Sequence, residues 1–174
     1  MKIRNVEQKR KIKKVVAMKN KLAEAYMETA WTFSTLSHAV RLKVGCVVVK
    51  NDTIIGIGYN GMPSGWDNVC EYKVFQTEND QYEYNYEEDG KKYRLVTRPE
   101  VLHAESNALA KIARSTLSSV GSTIFVTHSP CIECAKIIYQ AGIESLYYCI
   151  DYRSSDGLDF LIKSNVDVRK MPTP

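Results

Sequence analysis

A chain of 174 residues, 44% of them hydrophobic, carries enough apolar surface for one buried core and too little for two. No stretch is apolar for the length of a membrane span, and the charged start lacks the apolar run of a secretory signal, so a cytoplasmic protein without a membrane partner is expected. The net charge of +4 is uneven, because residues 1–21 hold nine Lys or Arg against Glu7 while the rest of the chain holds fifteen basic and nineteen acidic residues.

One domain over 1–174 is expected, with a basic extension at 1–19 and an insertion at about 67–101. A basic arm of this kind suits nucleic acid or an acidic surface of its own or a neighbouring subunit, and the second reading is preferred. Leu22, Ala23, Tyr26, Met27, Ala30, Trp31 and Leu36 recur at helical spacing and predict an amphipathic helix over 20–37. Residues 44–49 and 54–59 read as strands of a hairpin turning at Lys50, Asn51 and Asp52. Inside the insertion, Asp89-Gly90 is a two-residue hairpin turn that pairs Glu88 with Lys91, Glu87 with Lys92, Tyr86 with Tyr93, Asn85 with Arg94 and Tyr84 with Leu95. That register gathers Tyr82, Tyr84, Tyr86, Tyr93 and Leu95 on one face, which needs something to pack against. Helix is expected over 103–114, 131–142 and 156–164, alternating with strands over 122–127, 145–150 and 166–170. Such alternation implies a mixed sheet whose parallel part has helices on both faces, an α/β class fold built as a three-layer α/β/α sandwich.

His103-Ala104-Glu105 and Pro130-Cys131-Ile132-Glu133-Cys134 carry the chemistry. His103, Cys131 and Cys134 make a nitrogen and sulfur ligand set that suits zinc, and three protein ligands leave the fourth tetrahedral corner to water, which is how a catalytic zinc site differs from a closed structural one. Helices starting at these motifs would converge on one metal, and their positive ends favour thiolates. Bound zinc brings the pKa of its water to about 7. Glu105 is left unligated and placed to move protons. Cys-x-x-C alone would fit a redox pair or half of a structural zinc knuckle, but neither has a use for His103 and Glu105. Cys46 and Cys149 lie in apolar runs and read as small buried hydrophobes, Cys70 as a loop thiol, and His38 and His128 as structural or pocket-lining.

The pattern H-x-E…P-C-x-x-C is the signature of zinc-dependent deaminases. With Gly58-Tyr59-Asn60-Gly61-Met62-Pro63-Ser64-Gly65 upstream and Tyr147–Arg153 downstream, residues 20–170 resemble the deoxycytidylate (dCMP) deaminases. The resemblance implies the cytidine-deaminase-like fold, hydrolysis of dCMP to dUMP and ammonia, and a homo-hexamer activated by dCTP and inhibited by dTTP with Mg2+. It assigns zinc to His103, Cys131 and Cys134, proton transfer to Glu105, the deoxyribose hydroxyl to Asn60 and the pyrimidine carbonyl to the backbone at Ala104. Arg114 matches an arginine tied to subunit contacts and regulation, and Gly58, Tyr59 and Gly61 fall in the stretch expected to meet effectors or a neighbouring subunit. Some members hold a second zinc near the insertion. With Cys70 alone there and no histidine between His38 and His103, one zinc per chain is expected. His128 stands where the family is usually apolar. Arg41 and Lys43 are the choice for the substrate phosphate, a dianion best met by charged donors. The alternatives are a polynucleotide cytosine or adenosine deaminase, a free cytidine or deoxycytidine deaminase, and a non-enzymatic zinc module. The acidic, Tyr-rich insertion speaks against the first, so nucleic acid is not expected as a partner.

Overall fold

The computed structural model describes residues 20–78 and 81–174. The basic extension at 1–19 lies outside the described residues. The elements are α1 (Asn20–Ser34), β1 (Gly45–Lys50), β2 (Thr53–Tyr59), β3 (Glu71–Phe75), β4 (Tyr86–Glu88), β5 (Lys91–Thr97), α2 (Ala104–Ala113), β6 (Thr123–His128), α3 (Ile132–Gln140), β7 (Ser145–Ile150), α4 (Asp156–Lys163) and β8 (Asp167–Lys170). No helix among the described residues is long and apolar enough to cross a membrane.

A five-stranded sheet of order β2-β1-β6-β7-β8 forms the middle layer. The hairpin β1–β2 is antiparallel, β1 runs antiparallel to β6, and β6, β7 and β8 run parallel to one another. Alternation along β1 explains the layering. Cys46 and Val48 join Ala104, Ala108, Ile112, Ile138 and Leu161 on one face, under α2, α3 and α4. Val47 and Val49 face the other way and meet Ala23, Met27, Ala30 and Phe125 under α1. A strand buried on both sides has to be apolar throughout, and β1 carries Cys-Val-Val-Val with no exposure above 2%. Asn51 and Asp52 turn the hairpin with φ of 49° and 57°, the left-handed pair that a two-residue turn needs. Tyr26 ties α1 to that turn by donating its hydroxyl to the Asp52 carbonyl at 2.8 Å.

Two expectations are corrected. The α-helix stops at Ser34 and not at residue 37, because the amides of Thr35, Leu36 and Ser37 turn back to carbonyls three residues earlier. Leu22 and Leu36, at the two ends of the apolar stripe, are exposed. The insertion is a three-stranded sheet, order β3-β5-β4, and not a lone hairpin. The Asp89-Gly90 turn and the pairs Glu88–Lys91, Glu87–Lys92 and Tyr86–Tyr93 form as expected. Beyond Tyr86 the pairing ends: Asn85 and Tyr84 do not oppose Arg94 and Leu95, whose partners are Val74 and Lys73 of β3. Tyr86 and Tyr93 stack with ring centroids 5.4 Å apart, whereas the guanidinium of Arg94 lies 4.0 Å from the centre of the Tyr82 ring, on the opposite side of β5 from Tyr93.

Gly58 fixes how β2 meets α2. A Cβ built there would stand 2.0 Å from the Ala104 carbonyl oxygen and 2.7 Å from the Ala108 amide, both rigid helix backbone. Gly58→Ala is therefore expected to cost at least about 2 kcal/mol, since no side chain can yield. Urea unfolding of the zinc-loaded protein checks this, and an unchanged midpoint would contradict the close packing of β2 on α2.

Candidate active site

His103 is the residue before α2, with extended backbone at φ −76° and ψ 151°, and Cys131 holds the same place before α3 at φ −68° and ψ 168°. Both helices start at the ends of sheet strands or loops above them, so their first turns face one another. The ligand atoms of His103, Cys131 and Cys134 all lie within 4.8 Å of one another. His103 Nδ1 is 3.6 Å from Cys131 Sγ and 3.3 Å from Cys134 Sγ. Zinc with ordinary bond lengths and tetrahedral angles would separate an imidazole nitrogen and a thiolate by about 3.5 Å. The donor set and its spacing fit that ion. Among the described residues this is the one cluster of three or more such ligands.

Hydrogen bonds from Cys134 and His103 hold the Cys131 thiol down at about 3, while Cys134, which donates to it, is pushed up. Bound zinc would take the place of those hydrogen bonds, with both sulfurs held as thiolates. Glu105, one residue into α2 from Ala104, is 5% exposed. Burial raises its carboxyl above the usual range, against the pull of its own backbone amide and of His103. A carboxyl so placed gains and gives up a proton more readily near neutral pH than an exposed one.

A cavity of about 100 Å³ opens beside these groups, lined in part by Asn60, Ala104, Glu105, His128, Ser129 and Tyr152. Ala104 begins α2, so its amide has no acceptor within the helix. Asn60 is 9% exposed and is engaged on both sides of the preceding loop: its Oδ1 accepts from the Val44 amide at 2.7 Å, and its Nδ2 donates to the Leu42 carbonyl at 2.8 Å. One amide hydrogen remains for the cleft. His128, 8% exposed, lines the cleft. Its Nδ1 lies 3.0 Å from the hydroxyl of Thr127, which accepts from the Gly45 amide at 3.2 Å. That contact fixes the orientation of the His128 ring at the cleft wall. Burial also lowers the His128 pKa and keeps the ring neutral.

Of the remaining sequence candidates, Arg41 and Lys43 are both exposed and neither lines the cleft, but the Arg41 Nη1 donates to Oγ1 of the lining residue Thr97 at 2.8 Å. Tyr59, Gly61 and Arg114 line a second, larger cavity of about 780 Å³, together with Trp66 and Lys111. Gly58 does not reach it, being packed against α2. His38 borders that second cavity, and Cys46 and Cys149 are buried as expected. Cys70 is 1% exposed among Ala39, Val101 and Met62, so the loop thiol is a small core residue. Glu71, Thr97 and Tyr152 also line the first cleft and carry no local sequence signal of that role.

The family model for the cytidine and deoxycytidylate deaminase zinc-binding region matches residues 20–150. The chain belongs to this deaminase family. It is 32% identical to the deoxycytidylate deaminase of Enterobacteria phage T4, over 86% of this chain and 90% of that protein. Similarity to the human deoxycytidylate deaminase is 34% identity over 76% of this chain and 67% of that protein. Among solved structures, the dCMP deaminase of cyanophage S-TIM5 in complex with dCMP and dUMP superposes with a TM-score of 0.74 at 46% identity, covering 89% of this chain and all of that one.

Gly157 guards the ligand loop, for a Cβ there would stand 2.1 Å from the Pro130 carbonyl oxygen and 3.0 Å from Cys131 backbone. Gly157→Ala must displace Cys131, and about tenfold weaker zinc retention is expected. Competition with a chelator measures this. Unaltered retention would show that α4 does not set the position of the ligand loop.

Proposed function

We propose that the protein hydrolyses dCMP to dUMP and ammonia. The observation that carries this is the open zinc triad of His103, Cys131 and Cys134 with the buried, unligated Glu105 beside it in one cleft. Relatives that act as deoxycytidylate deaminases, and the phage enzyme that holds dCMP and dUMP, support the substrate. Zinc held by the triad supplies an acidic water that furnishes hydroxide at neutral pH. Glu105 would accept a proton from the attacking water and deliver it to N3 of the ring as the C4–O bond forms. Glu105 then takes the proton of the new C4 hydroxyl and passes it to the amino group, so that C4=O forms as the C4–N bond breaks and ammonia leaves. The Ala104 amide faces the pyrimidine carbonyl, the spare Asn60 amide hydrogen meets the deoxyribose hydroxyl, and Arg41 meets the phosphate.

Regulation is part of the same reading. The 780 Å³ cavity pairs Lys111 and Arg114 with Tyr59 and Trp66, a combination suited to a nucleotide triphosphate with Mg2+. We assign it to dCTP as activator and dTTP as inhibitor, in a homo-hexamer. All five cysteines are free thiols, which supports the cytoplasm as the compartment.

Glu105→Gln is expected to keep zinc and the fold and to lose about 10²-fold or more in kcat on dCMP. Turnover on dCMP, CMP, deoxycytidine and oligonucleotides tests the substrate, and parent protein that prefers deoxycytidine or an oligonucleotide to dCMP would overturn it. For the effectors, dCTP should reduce the sigmoidicity of the dCMP saturation curve and dTTP should raise its half-saturation, because each must favour a different conformation. Hyperbolic curves insensitive to dCTP, with dTTP purely competitive, would remove the regulatory site and leave the deaminase standing.

A further inference from the structure

The insertion supplies a wall of the catalytic cleft through two residues that face each other across its sheet. Glu71, the first residue of β3, pairs in register with Thr97, the last of β5, and both line the cleft with His103 and Cys131. Glu71 is 7% exposed. A buried carboxylate demands partners, and this one finds them outside its own sheet: its Oε1 accepts from the amides of Val40 and Arg41, at 3.1 and 3.2 Å. Those amides belong to the irregular segment between α1 and β1, which has no secondary-structure partner for them. The side chain that follows them, Arg41, is anchored on Thr97 Oγ1 at 2.8 Å. The loop is thus gripped twice from one edge of the insertion, once by its backbone and once by the guanidinium. On its far side, Asn60 grips the same loop at Leu42 and Val44.

We propose that Glu71 is a positioning residue for substrate selection, holding the Val40–Arg41 backbone so that Arg41, tied to the cleft residue Thr97, is held ready for the substrate's phosphate. This rests on the dCMP reading above. Thr97 fixes the guanidinium through a single donor and leaves the remaining donors of the fork for a dianion. Preorganisation of this kind lowers the entropy lost when the phosphate binds and leaves the chemistry at zinc untouched. It also gives the insertion a role: it carries the two residues that make the phosphate subsite rigid.

Steady-state kinetics on the zinc-loaded, full-length protein with dCMP and with deoxycytidine test this. Glu71→Ala is expected to raise KM for dCMP about tenfold or more while kcat and the kcat/KM for deoxycytidine stay within about threefold. Glu71→Gln keeps one oxygen able to accept both amides, so it should stay within about threefold of the parent on dCMP. Arg41→Ala should show the same selective rise in KM, and Glu71→Ala added to it should do little more. Equal losses on both substrates in Glu71→Ala, or Glu71→Gln as impaired as Glu71→Ala, would overturn the positioning role. If Glu71→Ala does not fold, Thr97→Ala reads the same anchor, with a selective rise in KM for dCMP expected and no change counting against it. Parent protein without a preference for dCMP would instead be the failure of the substrate reading. A parent preference that Arg41→Ala abolishes, with Glu71→Ala and Thr97→Ala both silent, would sink this proposal alone.

Discussion

His103 and Cys131 stand 28 residues apart, yet the site exists only if the two helices they precede start within bonding reach of one ion. Everything around them serves that convergence. β6 and β7, parallel and adjacent, bring α3 over the same face of the sheet as α2. Two glycines let backbone meet backbone, Gly58 between β2 and α2 and Gly157 between α4 and the Pro130–Cys131 loop. Ligand spacing in a metal site tolerates errors of a few tenths of an ångström, so these contacts act as a jig for the chemistry. The same geometry buries Glu105 next to the ligands and away from bulk water, and that burial raises its carboxyl pKa.

The cleft has a second requirement, that its mouth be shaped by chain without regular structure. The segment from Ser37 to Val44 crosses the opening with few backbone partners of its own kind, so side chains hold it: Asn60 from β2's end and Glu71 from the insertion. Each is a buried polar group whose partners are satisfied across long sequence separations, and such groups specify geometry more than they add stability. The insertion therefore joins the catalytic body at the point where its sheet begins and ends. Its distal hairpin, with Tyr86 stacked on Tyr93, lies at the other end of those strands.

Asn60 borders both cavities, the one beside zinc and the larger one lined by Tyr59, Gly61 and Arg114. A displacement of the Tyr59–Gly61 backbone would carry the Asn60 amide with it and loosen the loop at Leu42 and Val44. That would give the proposed regulation a physical link, a shared residue whose hydrogen bonds differ between states.

The zinc ligands, Glu105 and the alternation of helices and strands were legible in the sequence, because each depends on short-range rules. His-x-Glu and Cys-x-x-Cys place their side chains through one turn of helix, and β1 reads as a doubly buried strand from Cys46 to Val49 by composition alone. The Asp89-Gly90 turn was equally local, and its three nearest pairs formed. The pairing with β4 ended at Tyr86, and the other edge of β5 took β3, whose residues 71–75 have a polar-apolar pattern too short to announce a strand. The places of Glu71, Thr97 and Tyr152 in the cleft wall were invisible for the same reason. A buried glutamate gripping a loop thirty residues earlier leaves no trace in its own neighbourhood. Periodicity and motif spacing determined which side chains each element presents; only tertiary packing decided which of them meet, since that depends on contacts between segments whose separation along the chain carries no signal.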